Sequence, residues 1–105
     1  MYVCLTFCKF LPGSVREVRR IYNEEIAPIL RKQKGNINAL LMEPADKSDD
    51  FISITQWKTK HDADTYVFGG LYKRFLSKLE AYCTKAPALK TYYVEENKVG
   101  VTEFL

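Results

Sequence analysis

The sequence predicts one α+β domain on a four-stranded antiparallel sheet, its elements running β-α-β-β-α-β. Three observations carry that expectation. Four short segments alternate side chains with the two-residue period of a strand, and two longer ones repeat apolar residues at helical spacing. The 105 residues suffice for one hydrophobic core and leave no room for two. With 47% hydrophobic and 28% charged residues the composition is that of a globular chain, which excludes long disordered or low-complexity stretches.

Met1 to Phe10 is the first strand, with Val3, Leu5 and Phe7 on one side and Tyr2, Cys4, Thr6, Cys8 and Phe10 on the other. Pro12 and Gly13 end it. Ser14-Val15-Arg16-Glu17 then reads as a capping box, in which hydroxyl and carboxylate each satisfy an orphan amide at the start of the first helix. Val18, Ile21, Tyr22, Ile26, Ile29 and Leu30 form the apolar stripe of that helix, while Arg16, Arg19, Arg20, Glu24, Arg31 and Lys32 take mostly other faces. Pro28 removes one backbone hydrogen bond and predicts a bend, and Gly35 is expected to stop the helix.

Ile37 to Glu43 and Phe51 to Lys58 are the second and third strands, joined into a hairpin through the polar segment Pro44 to Asp50. Thr59 followed by Asp62 repeats the capping logic. A second helix is therefore expected from Lys60 to about Phe68, faltering at Gly69-Gly70 and resuming to Cys83, with Leu71, Phe75, Leu79 and Tyr82 toward the sheet. Pro87 precedes the fourth strand, Leu89 to Glu95. The domain is expected to span 1–96. Residues 97–105, ending in Phe104 and Leu105, form a tail that either frays or packs on a partner.

This order implies a ferredoxin-like layer in which both helices cover one face of the sheet. The other face is left bare, yet both carry apolar residues: Val3, Leu5 and Phe7 oppose Cys4 and Cys8, and Ile52 and Ile54 oppose Phe51 and Trp57. At about 25 cal/mol per Å², several hundred Å² of exposed sheet represents roughly 10 kcal/mol of unfavourable hydration, comparable to a small domain's whole stability. A homodimer built sheet on sheet removes it.

Sixteen Lys and Arg against 13 Asp and Glu leave a formal charge of +3, too small to imply a polyanionic partner. No apolar run reaches the length of a membrane helix, and Met1 to Phe10 lacks the basic start of a secretory signal, so a cytoplasmic protein without a membrane partner is expected. Three cysteines argue against a closed disulfide framework. Cys4 and Cys8 would stand roughly 13 Å apart on a strand, beyond bridging distance, and Cys4, Cys8 and Cys83 read as buried thiols. The one histidine, His61, has no second His or Cys at ligand spacing, so no metal site is expected. RNA binding, which the element order also permits, is disfavoured. Phe51-Ile52-Ser53-Ile54-Thr55 lacks the glycine-aromatic pattern that exposes stacking rings.

Ile26-Ala27-Pro28-Ile29-Leu30 closing on Gly35, the strand ending Ile54-Thr55-Gln56-Trp57 before a capped helix, and Pro12-Gly13 after the first strand resemble the antibiotic biosynthesis monooxygenase family. The resemblance covers nearly the whole chain, and its motifs are short. It implies a dimeric α+β barrel with a pocket between each sheet and its own helices. Members of that family include cofactor-independent oxygenases of phenols and quinols, haem-degrading enzymes and isomerases of small signalling sugars, so fold alone does not settle function.

Carried over residue by residue, Trp57 matches the tryptophan that ends the third strand and lines the pocket in several members, with packing as a core aromatic the alternative. Alternation puts Thr55 and Ser53 on its side, and these two with Thr6 are the expected substrate contacts. Quinol-oxidising members often carry a histidine nine residues after the tryptophan; this chain has Tyr66 there, able to donate a hydrogen bond but a poor base near neutral pH. His61, near the start of the same helix, is the remaining candidate, so the catalytic set implied is Trp57, Tyr66 and His61. The positions that hold iron in the haem-degrading branch fall on Thr6 and near Leu76, which do not ligate it, and no cofactor is expected.

Three functions remain open. A cofactor-free oxidoreductase would use the electrons of an aromatic, phenolic or quinone-like substrate held beside Trp57, Tyr66 and Thr6. An isomerase would move protons in the same pocket through His61 or Glu80. A non-catalytic module would bind a metabolite there, or fill the space with its own side chains.

Overall fold

In the computed structural model, which describes residues 1–95, one antiparallel sheet is formed by β1 (Tyr2–Cys8), β2 (Asn36–Met42), β3 (Phe51–Trp57) and β4 (Ala88–Tyr93), side by side in the order β2-β3-β1-β4. The two strands with the strongest apolar alternation, β1 and β3, lie in the middle, where both faces of a strand meet neighbours. Cys4 stands opposite Thr55 and Thr6 opposite Ser53, so the period of two puts Tyr2, Cys4, Thr6 and Cys8 on one face with Phe51, Ser53, Thr55 and Trp57. The helices cover this face.

The first helical run has three parts: α1 (Val15–Ile21), a π-helical turn (Tyr22–Ile26) and α2 (Ala27–Leu30). The second is split into α3 (Lys60–Phe68) and α4 (Leu71–Leu79), with Gly70 at φ +98° supplying the left-handed turn between them. Val18, Ile21, Tyr22, Ile26 and Leu30 from the first run and Ala63, Tyr66, Phe75 and Leu79 from the second are buried on the sheet. This is the expected ferredoxin-like α+β layer. No helix of the described residues is long and apolar enough to cross a membrane.

Local details depart from the sequence reading in three places. The capping box at Ser14 does not form, because a 3₁₀ turn, Pro12–Ser14, runs straight into α1 and holds Ser14 at φ −101°, ψ −4° instead of the extended geometry a cap needs. Its hydroxyl donates to the Leu11 carbonyl at 2.7 Å, and the Glu17 carboxylate pairs with Arg20. Thr59, extended at φ −135°, ψ 157°, does cap: its Oγ1 accepts from the Asp62 N–H at 3.1 Å.

Pro28 is accommodated by the π-helical turn just before it. A proline ring collides with the carbonyl four residues back in a regular helix. Here the Ala27 N–H donates to the Tyr22 carbonyl five residues back, so the chain takes in an extra residue before the proline. Gly35 is not the helix stop either, since α2 ends at Leu30. Gly35 turns the chain into β2 at φ +78°, its carbonyl accepts from Lys58 N–H at 2.8 Å, and a Cβ there would lie 2.0 Å from Asp62 Oδ2. The expected tail, 97–105 with Phe104 and Leu105, falls outside the described residues.

Among the described residues, no element covers the sheet's other face. Register brings Val3, Leu5 and Phe7 of β1 beside Ile52 and Ile54 of β3, with Leu40 and Met42 outward on β2 and Tyr92 on β4. Leu40, Met42 and Tyr92 are 45%, 42% and 50% exposed. Polar relief comes from Asn38, Gln56 and Lys90, the last lying over the Phe7 ring.

Cys4 and Cys8 are buried under the helices, and Cys83, half-buried, follows the 3₁₀ turn Glu80–Tyr82 and bridges to Phe10. Burial pushes the Cys8 thiol up to about 12, with Cys83 and Asp50 adding to it. Burial also raises Cys83, but a contact with the Cys8 thiol opposes the rise. The Cys83 Sγ–H is directed at the Leu79 carbonyl, 3.4 Å away.

Two outcomes are expected. Gly35→Ala should lower stability by about 1–2 kcal/mol from left-handed backbone strain alone, measured by urea unfolding, and Asp62→Ala should recover only the steric remainder. At pH 8 a thiol at about 12 is ionised in about one molecule in ten thousand. Iodoacetamide mapped by mass spectrometry should therefore modify Cys83 well before Cys4 or Cys8 in the folded protein.

Candidate functional site

The space between sheet and helices closes on one cavity. The centre of the sheet supplies Thr6 and Cys8 from β1 and Ser53 from β3, and the two ends of the π turn supply Tyr22 and Ile26. Tyr66 of α3 and Tyr72, Phe75 and Leu76 of α4 complete the far wall. About 30 Å³ admits a water-sized sphere, room for about two waters. Counted out to the open side, the space between the walls is about 430 Å³. The larger hollow of about 560 Å³ beside Pro12 and the β2–β3 connection is a surface groove whose Arg19 and Glu43 pair with each other.

Inside, rings and aliphatic chains predominate, and the polar atoms are hydroxyls. Thr6 Oγ1 and the Tyr72 hydroxyl are 3.0 Å apart, a hydrogen bond that ties the central strand to α4 across 66 positions of sequence. Tyr66 stacks on Trp57 with ring centres 5.1 Å apart at 24°, and meets Tyr72 edge to face at 5.6 Å. Trp57 itself is wholly buried, its indole Nε1–H donating to Thr55 Oγ1 at 2.9 Å. The Tyr22 hydroxyl, also buried, has no hydrogen-bond partner among the described residues; the Ser53 side chain is near it without the geometry of a bond.

Burial raises all three phenols above their ordinary range. For Tyr66 the neighbouring Tyr72 adds to the effect, while the Thr6 hydroxyl moderates it for Tyr72 and Ser53 does so for Tyr22. Each keeps its proton at neutral pH and serves as a donor rather than a base. Among the described residues, no carboxylate, imidazole, ammonium or guanidinium lines the cavity.

Of the residues singled out from sequence, Thr6, Ser53 and Tyr66 stand on the cavity walls. Trp57 and Thr55 lie behind Tyr66, bonded to one another. His61 is on the exposed first turn of α3, in an outer groove of about 410 Å³ that Trp57 and Tyr66 also border. Tyr66 is thus common to groove and cavity. Glu80 is exposed and outside the cavity walls.

Sequence reasoning passed over Tyr22 and Tyr72. Tyr22 was absorbed into the apolar stripe of the first helix, although a phenol in a buried stripe needs a partner for its hydroxyl. The walls do not suit haem: among the described residues they contain no imidazole, the Thr6 and Leu76 side chains on them do not ligate iron, and burial keeps the Cys8 thiol protonated. Nor do three or more His, Cys, Asp or Glu side chains gather as a metal site among the described residues.

The sequence profile of the family described as antibiotic biosynthesis monooxygenase matches residues 1–78. No curated protein matches the sequence. Among solved structures, a candidate antibiotic biosynthesis monooxygenase from Deinococcus radiodurans is similar at a TM-score of 0.78 and 15% identity, covering 92% of this chain and 95% of that one. One from Nitrosomonas europaea is similar at 0.75 and 15%, covering 90% and 98%. A variant of MhuD holding two manganese protoporphyrin IX molecules per active site is similar at 0.74 and 13%, covering 92% and 97%. At these identities the structural likeness speaks for fold alone, whereas the profile spans most of the chain. The chain therefore belongs to the antibiotic biosynthesis monooxygenase family.

Proposed function

We propose that this protein is a small cytoplasmic oxidoreductase of monooxygenase type, cofactor-independent and homodimeric, whose cavity takes an aromatic, phenolic or quinone-like molecule. The makeup of the cavity carries this reading: ring and aliphatic walls, with neutral hydroxyls from both sheet and helices turned inward. In such a reaction the substrate supplies the electrons. A hydroquinone and dioxygen give a hydroxyquinone and water, one oxygen atom entering the ring, so the protein has only to hold the ring away from water, orient it and handle protons.

Tyr66 donates to a substrate oxygen from its stack on Trp57, Thr6 and Ser53 set the orientation, and Thr55 acts from behind through its bond to the Trp57 indole. His61, across Tyr66 in the outer groove, exchanges protons with solvent. Pairing through the bare sheet face is supported by its apolar residues on all four strands, and a face so covered leaves no stacking platform for nucleic acid.

A second reading, a non-catalytic binding module, draws on a specific observation. The cavity offers no base, and Trp57 and Tyr66 already fill each other's faces. Oxygen consumption decides between the two. With a panel of hydroquinones the wild type should take up oxygen, and Tyr66→Phe, which keeps the ring, should do so at least about tenfold more slowly for loss of one hydrogen bond to the reacting oxygen. Absence of uptake with every hydroquinone would leave the binding module. Sedimentation at micromolar concentration should report about twice 12.2 kDa. Ile54→Lys, which puts a charge in the middle of the bare face, should shift it to monomer with its far-ultraviolet dichroism unchanged.

A further inference from the structure

Among the described residues, Tyr22 brings to the cavity wall the one side-chain hydroxyl that is both fully buried and unpaired. Its hydroxyl is the buried side-chain polar atom without a hydrogen-bond partner among the described residues, and the residue is 2% exposed. An unmatched buried donor costs about 1–3 kcal/mol, so a chain keeps one where something else satisfies it. Its position is built by the backbone. The π turn begins at Tyr22 and ends at Ile26, and both ends project into the cavity, the kind of helix irregularity that recurs at binding sites.

What the hydroxyl meets follows from its surroundings. The hydroxyls of Thr6 and Tyr72 are engaged with each other, and the Ser53 side chain lies near Tyr22 without the geometry of a bond, so the buried Tyr22 O–H is free to turn to a ligand. The rest of the wall near it is apolar, with Ile26, Phe51 and Phe75 among its residues. Among the described residues no cationic side chain lines the cavity; the Arg31 guanidinium acts on Tyr22 from outside the walls, more weakly than burial does, and burying an unpaired carboxylate or phenolate costs several kcal/mol.

We infer that Tyr22 is the specificity-determining residue of this cavity, and that it selects a neutral ring-borne carbonyl oxygen over an anionic one. This rests on the reading of the cavity as a small-molecule site, and it narrows the ligand to the uncharged, acceptor-bearing form. A hydroquinone is also uncharged at neutral pH, so the electron donor of the reaction enters the cavity as well as its quinone, whose carbonyls are the stronger acceptors.

The test uses duroquinone, whose fully methylated ring offers thiols no open position, and its analogue with one methyl replaced by a hydroxyl, which is ionised at neutral pH. Binding is followed by quenching of Trp57 fluorescence and by chemical shifts of cavity methyl groups. Duroquinone should bind the wild type at least tenfold more tightly than the ionised analogue. Tyr22→Phe should weaken duroquinone about fivefold to tenfold, as expected for one neutral hydrogen bond, and should leave the melting temperature without ligand unchanged or higher, because it deletes an unsatisfied hydroxyl.

Equal binding of the two quinones, or unchanged duroquinone binding by Tyr22→Phe, would overturn the role of Tyr22 while leaving the cavity as a site. A lowered melting temperature without ligand would overturn it too, by showing that the hydroxyl has an internal partner or a bound water only. No binding of either probe to the folded wild type would overturn this inference and the small-molecule reading together.

Discussion

One asymmetry governs this molecule: two central strands apolar on both faces, and helices enough to cover one. β1 and β3 cannot bury both sets of side chains within a single layer of helix, since each alternate residue points away from it. The covered side becomes the core and, where its packing is incomplete, the cavity. The uncovered side becomes a surface whose hydration is unfavourable. Site and proposed interface are thus opposite sides of the same strands, and Thr6 on one side has Leu5 and Phe7 as its chain neighbours on the other.

The covered side is not a uniform hydrocarbon layer. Along β1 and β3 the inward positions include Thr6, Ser53 and Thr55, and each hydroxyl has to be matched or left waiting. Thr55 is matched by the Trp57 indole and Thr6 by Tyr72 from a helix 66 residues away. Those bonds fix the lateral position of α4 and the tilt of the indole, and through the Trp57–Tyr66 stack they also position the partition between the cavity and the outer groove. Polar atoms inside an apolar layer act here as register marks between elements.

Strand and helix identities were legible in the sequence because they depend on local period: the alternation of Tyr2 to Cys8, the cap at Thr59, and the interruption at Gly69-Gly70 all reappear in space. The Ser14 cap was misread because neighbouring groups compete for the same atoms, with Leu11 taking the hydroxyl and Arg20 the carboxylate. At the site, Thr6, Ser53 and Tyr66 could be placed by face. That Tyr72 closes on Thr6 could not, since it depends on where α4 lands after a glycine turn. Tyr22 was hidden for a different reason. A phenol looks like any other large apolar residue until its oxygen is found without a partner.

The π turn accounts for an oddity of the first helical run. Val18, Tyr22, Ile26 and Leu30 recur at intervals of four, yet all are at most 3% exposed. In a uniform α-helix of 3.6 residues per turn, three such steps would drift by about 120° and carry one end of the row off the sheet. The wider π turn absorbs part of that rotation, acting as a phase corrector between the two halves of the helix. A chain shortened by one residue within 22–26 would set the Pro28 ring against the carbonyl four residues back and rotate α1 about 100° relative to α2, aiming Val18 away from the core. The insertion is therefore a fixed part of the architecture, and the length of this segment is under tighter constraint than its composition.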